Sequence, residues 1–234
     1  MPTQCHVAVA ADQSLIADTV SAALVTPGMR VTGVRWRTEP APWVPVPRVE
    51  DPIDVGVMLC DLQPRWRLVQ ARWMIHSVRA PWLVLTGAPR GPLWGAMLDA
   101  GAVAVYPSAS TLNEVRLMVG RVVAGESLMD AGEMAALRAA WHTAERARLT
   151  AVRSVRSLSP REFLVLELMH AGEPVQGIAA QLDVSESTVR SHVRAVLRKL
   201  DVRTQLAAVA EFEAASAGID GDADGDADDW PGGS

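Results

Sequence analysis

Residues 158–210 read LSPREFLVLELMHAGEPVQGIAAQLDVSESTVRSHVRAVLRKLDVRTQLAAVA, and their start and stop signals cut the stretch into four helices. Ser159-Pro160-Arg161-Glu162 is a capping box with proline at the first helical position, so a helix begins there and ends at Gly172. A second helix covers about 174–182. Asp183-Val184 and a cap at Ser185 lead into a third helix over 186–200, and Thr204 caps a fourth over 205–216.

Two short helices joined by a tight turn, the second laden with arginine, make a helix-turn-helix signature. In helix 186–200, Val189, Val193, Val196, Leu197 and Leu200 define the inward face. Arg190, Arg194 and Arg198 recur at intervals of four and share one outward stripe. Such a stripe suits a DNA major groove, where arginine donates two hydrogen bonds to guanine, and Ser187 and Thr188 at the amino end suit a phosphate. A solvated basic face on a structural helix is the plainer alternative.

The same stretch resembles the LuxR/NarL-type DNA-binding domain from end to end. LSPRE, IAAQLDVSESTVRSHV and LRKLDVRT are the blocks that carry the likeness. The resemblance implies base contacts from Arg190, Ser191 and Arg194, and contacts to the DNA backbone from Thr188, His192, Arg198 and Lys199. It also implies dimerisation through the fourth helix, here Leu206, Val209 and Ala210. Three positions depart from the pattern. Pro174 stands in place of a serine cap, Gly177 lies inside a helix, and Asp201 replaces the glycine expected in a left-handed turn.

Working back toward the amino terminus, residues 130–156 lack proline and, after Gly132, glycine, and they read as a connecting helix. Met134, Leu137, Trp141 and Ala144 form its apolar stripe, suited either to packing on the preceding domain or to a coiled coil. Before it, apolar runs at 6–11, 30–36, 54–60, 82–87 and 102–106 alternate with helical patterns at about 14–26, 65–78, 92–100 and 111–124. That alternation predicts a parallel sheet covered on both faces. Between the second and third runs, prolines at 40, 42, 45, 47 and 52 forbid a helix, so an extended loop replaces one crossover helix.

The order of elements is similar to that of a two-component receiver domain, with a flavodoxin-like sheet. DVGVMLCDLQP then makes Asp61 the candidate phosphoacceptor, with Asp12 after the first strand and Thr86 as the switch hydroxyl. Phosphoryl transfer to a carboxylate needs Mg²⁺ and a cation that binds the phosphate oxygens. Here the acidic pair is Ala11-Asp12, one carboxylate short, and Ser108 holds the position of the usual lysine. Val105 stands at the switch aromatic, beside Tyr106. Any Mg²⁺ held by Asp12 and Asp61 is weakly bound, so the resemblance implies a receiver not switched by conventional phosphorylation. A phosphorylated regulator served by a histidine kinase is the alternative.

Among the tryptophans, Trp66 and Trp73 share a helix face with Trp82 and Trp94 nearby, and either core packing or a ligand pocket accommodates them. Cys5 and Cys60 are too few for a disulfide framework or a zinc site. If the first and third strands are neighbours, an offset of five residues separates the two thiols by about 16 Å, too far for a disulfide.

The 234 residues carry 22 basic and 27 acidic side chains, net −5, which on its face argues against a nucleic-acid partner. Yet GIDGDADGDADDWPGGS at the carboxyl end holds six aspartates and no basic residue, leaving the remainder at +1. That segment cannot build a core. It mimics an EF-hand loop from Asp220 to Asp226, but the required glutamate falls on Pro231.

The expected organisation is an atypical receiver over 1–128, a linker helix over 129–156, a helix-turn-helix domain over 157–217 and a disordered acidic tail over 218–234. No enzyme signature stands out, and no resident cofactor or membrane span is expected, which points to a cytoplasmic protein. Double-stranded DNA and a second copy of the chain are the implied partners, with RNA polymerase and a histidine kinase as further candidates.

Overall fold

The five apolar runs of the amino-terminal half pair side by side in a computed structural model that describes residues 5–35 and 52–216. β1 (Cys5–Ala11), β2 (Met29–Arg35), β3 (Val55–Leu59), β4 (Trp82–Thr86) and β5 (Ala104–Pro107) form one sheet in the order β2-β1-β3-β4-β5. Every neighbouring pair is parallel, which gives the flavodoxin-like arrangement. The uniformly apolar sequences follow from this topology: Val7–Ala10, Val55, Val57, Met58 and Leu83–Leu85 are buried, because helices cover the sheet. Gly56 is fixed by packing, since a Cβ there would overlap the Trp82 ring, whose indole N–H donates to the Val78 carbonyl at 3.0 Å.

The crossovers are α1 (Ser14–Leu24), α2 (Arg65–Ser77), α3 (Pro92–Asp99) and α4 (Leu112–Val123). α4 begins at a capping box in which the Thr111 hydroxyl accepts from the Glu114 N–H and the Glu114 carboxylate accepts from the Thr111 N–H. The proline-rich segment with Trp36 and Trp43, and the acidic tail, lie outside the described residues.

The strand register lengthens the expected separation of the thiols. Val7 pairs with Val55, so Cys60 lies seven positions beyond the residue opposite Cys5, or about 23 Å along the strands. Both cysteines are free, and only Cys60 is buried; burial pushes its thiol up, with the Asp12 and Asp61 charges adding to the shift.

α5 (Ala131–Arg156) is one continuous helix, yet the chain's contacts divide it, at 1–144 and 145–234. In the first unit its stripe packs on the core around the sheet: Leu137 and Trp141 are buried, Met134 is partly so, and Ala144 is exposed. Arg72 stacks 5.2 Å from the Trp141 ring, and Arg138 donates to the Leu98 carbonyl at 3.0 Å.

In the second unit Ala151 and Val155 of α5 join α6 (Pro160–His170), α8 (Glu186–Lys199) and α9 (Gln205–Ser216) around Phe163, Leu166, Val196 and Phe212. The Phe163 and Phe212 rings meet edge to face at 5.8 Å. α7 (Val175–Leu182) closes a smaller cluster against α6 and α8 through Ile178, Leu182, Val189 and Val193. Two left-handed aspartates shape this unit: Asp183 (φ 51°) turns α7 into α8, and Asp201 (φ 55°) ends α8 as expected. Pro174 sits at the start of α7 without a side-chain cap.

Candidate nucleic-acid interface

The start of α8 is fixed by hydroxyls. Ser185 accepts from the Thr188 N–H at 3.2 Å, and its Oγ also meets Ser187 Oγ at 2.7 Å and Thr188 Oγ1 at 2.9 Å. From that cap the helix divides by face. Val189, Val193 and Val196 are buried, while Arg190, Ser191, Arg194 and Arg198 are exposed. The three arginines therefore lie along one solvent face, backed by a packed core that fixes the helix beneath them.

Their partners differ. Arg190 Nη2 is held by Glu186 Oε2 one turn earlier, at 2.6 Å. Neither Arg194 nor Arg198 enters an ion pair with any described residue, and Ser191 Oγ donates to the Ser187 carbonyl at 3.0 Å. His192 is half-buried. Lys199 stands apart from this face: its Nζ lies 2.6 Å from Glu162 Oε2 and 3.3 Å from the Ser157 carbonyl, so the side chain is engaged within the domain.

Glu162 is thus both capping-box acceptor and Lys199 partner. Its burial raises the carboxyl pKa, but the Lys199 and Ser159 hydrogen bonds outweigh that and hold it below the usual carboxylate value of 4.5. A lowered folded-state pKa means that the stabilisation is complete above the ordinary value and is lost as pH falls through the folded one. Glu162→Gln should therefore cost about 1 kcal/mol at neutral pH, and the difference from the parent should shrink as pH falls below the ordinary carboxylate value and through the lowered folded one. Amide exchange in α6 and α8 measures it; a pH-independent difference would show that the charge contributes nothing.

On α9, Ala208, Phe212 and Ala215 face inward, Val209 is half-buried, Ala210 is exposed and Leu206 is 81% exposed.

In the amino-terminal unit the structure brings Asp12 and Asp61 together at the carboxyl ends of β1 and β3, and Asp12 Oδ2 accepts from the Asp61 N–H at 3.2 Å. A residue that the sequence reading did not single out lies with them. Arg67, from the first turn of α2, places Nη1 3.2 Å from Asp12 Oδ2 and 3.7 Å from Asp61 Oδ2. Trp66 lies beside it, 5.3 Å from the guanidinium carbon. The nearby buried Thr86 hydroxyl accepts from the Ala88 N–H at 3.2 Å.

This arrangement does not fit Mg²⁺. One carboxylate is missing, a single guanidinium already pairs with the two that remain and offsets half of their charge, and no group of three metal-ligating side chains occurs among the described residues. Trp66 and Trp73 are half-buried and are not among the residues that line the cavity beside Trp94 and Tyr106. Trp82 and Trp94 are in the core, and a cavity of this unit opens beside Trp94 and Tyr106.

Comparison with known proteins places residues 156–212 in the family described as "Bacterial regulatory proteins, luxR family". The glycerol metabolism activator of Pseudomonas putida is 44% identical over 55 residues, 24% of this chain and 25% of that protein. The nitrate/nitrite response regulator protein NarL of Escherichia coli K12 is 41% identical over 61 residues, 26% of this chain and 28% of its own. The chain thus spans about a quarter of the length of the curated relatives it matches. A crystal structure of the response regulator ChrA of a heme-sensing two-component system covers 92% of this chain and 99% of its own, at 20% identity and a TM-score of 0.40. The helical unit that presents the arginine stripe of α8 is a domain of the luxR family of bacterial regulatory proteins.

Proposed function

We propose that this chain is a sequence-specific DNA-binding regulator of transcription, acting in the cytoplasm as a homodimer on paired half-sites. The observation that carries the reading is the exposed face of α8, with Arg194 and Arg198 clear of any described carboxylate and a hydroxyl-rich amino end. Arg190, Ser191 and Arg194 reach base edges, Arg194 donating two hydrogen bonds to guanine. Thr188, His192 and Arg198 contact phosphates, and these contacts set register without reading sequence. Lys199 holds Glu162 and acts on DNA as a positioning residue. Leu206, Val209 and Ala210 form the dimer contact, which sets half-site spacing. RNA polymerase is the partner on which the outcome acts.

The amino-terminal unit is a receiver that conventional aspartate phosphorylation does not switch. Arg67 occupies, with a single positive charge, the place beside both carboxylates where a divalent cation would sit, and Ser108 offers no ammonium to an acyl phosphate. Treated with acetyl phosphate and Mg²⁺, the full chain should gain no phosphoryl mass and keep its DNA affinity. Modification of Asp61 with tighter DNA binding would instead make it a kinase-switched response regulator.

A further inference from the structure

At the carboxyl ends of β4 and β5, where open α/β sheets bind ligands, the amino-terminal unit holds a cavity of about 660 Å³. That lies within the range of roughly 300–1,000 Å³ found for small-molecule sites. Trp94, 7% exposed, and Tyr106 are the aromatic residues of its lining, and their polar atoms are already used: the Trp94 indole N–H donates to the Ala88 carbonyl at 2.9 Å, the Tyr106 hydroxyl to the Leu128 carbonyl at 2.8 Å. What both rings offer an occupant is therefore aromatic surface.

Four further polar side chains line it, Thr86, Arg90, Ser108 and Glu133, and the first two can donate to an anion held against the rings. The Thr86 hydroxyl, 1% exposed, accepts from the Ala88 N–H, and its own hydrogen has no acceptor among the described residues. Arg90 pairs with Glu133 at the edge of the cavity, in a contact whose side chains are 60% and 29% exposed. A surface pair of that kind contributes little, so an incoming anion displaces the glutamate at small cost.

We propose that this cavity binds a planar aromatic carboxylate, with its ring against Trp94 and Tyr106, its charge on Arg90 and the Thr86 hydroxyl donating to it. The cavity shares a wall with the acidic site: a Cβ on Gly87 would stand 3.3 Å from Asp61 Oδ1 and 3.7 Å from Ser108 Oγ. Another wall, Leu128, Met129 and Glu133, includes the first turn of α5, so an occupant ties that turn to the sheet. The site stands apart from the DNA-binding reading; only its use as the regulator's input rests on that reading.

Naphthoate is the probe, with naphthamide as its neutral counterpart, titrated into the full chain without DNA and followed by the Trp94 indole N–H resonance. Naphthoate should saturate a single site. Arg90→Gln should weaken naphthoate about two- to fivefold and leave naphthamide unchanged. Ala88→Leu, which fills the cavity, should abolish both while the other indole resonances hold. A Trp94 resonance that naphthoate never moves, or equal shifts in the Ala88→Leu chain, would overturn the site. An Arg90→Gln chain that binds naphthoate as the parent does would overturn the anionic class. A separate titration of DNA into the same samples reads the DNA-binding reading independently.

Discussion

Gly95→Ala should destabilise the amino-terminal unit by about 3–5 kcal/mol, from overpacking and the lost burial of two large side chains. Gly95 is buried in α3, and a Cβ there would overlap the Leu137 backbone carbonyl and stand 2.9 Å from Trp141 Cβ. Backbone cannot swing away as a side-chain tip does, so the first half of α5 must lift from α3. Leu137 and Trp141 then lose their burial, and Trp141 its stacking with Arg72. Denaturant unfolding followed by tryptophan fluorescence, with amide exchange over residues 131–144, measures the effect. Gly120→Ala is the control: it lies in α4 with nothing within 4 Å of an added Cβ, and should gain about 0.5–1 kcal/mol. Equal stability of the two variants would mean that α5 does not pack on α3 as described.

Arg194→Ala should weaken binding to a specific site by about 1–3 kcal/mol, roughly 5- to 150-fold, and relax preference at one base position. Removing a bidentate donor leaves the guanine acceptors unpaired in a desolvated groove, which is why the loss exceeds that of an ordinary hydrogen bond. Arg198→Ala should act differently, lowering affinity for all sequences alike and reducing the salt slope by about one. Fluorescence anisotropy across a salt series separates the two. A uniform loss for Arg194→Ala would reassign it to phosphate.

Much of this was legible in the sequence because local signals and tertiary packing agree. The Ser159 and Ser185 caps start α6 and α8 where the sequence expects, and the alternating apolar runs give five parallel strands within about two residues of their observed ends. Asp201 takes the left-handed turn because aspartate tolerates it better than most side chains.

The rest depended on distances through space. Nothing in RWRLVQARW says that Arg67 reaches Asp12 at the end of the neighbouring strand, because a guanidinium on the first turn of a helix is usually solvated. Lys199 sits in a basic run that suggests DNA, while its partner Glu162 lies 37 positions away in sequence. The Cys5–Cys60 offset required the strand register, and the cavity beside Trp94 required the fold of three separated segments. Periodicity marked the stripe of α5 but not the Gly95 contact that places it.

Selection of duplexes from a random pool by the full chain tests the DNA reading most directly. The parent should enrich one motif, arranged as two related half-sites about one helical turn apart, and Arg194→Ala should lose preference at a guanine within each half. Recovery of no motif above background by the parent, at a salt concentration where it binds DNA, would contradict sequence-specific recognition by α8.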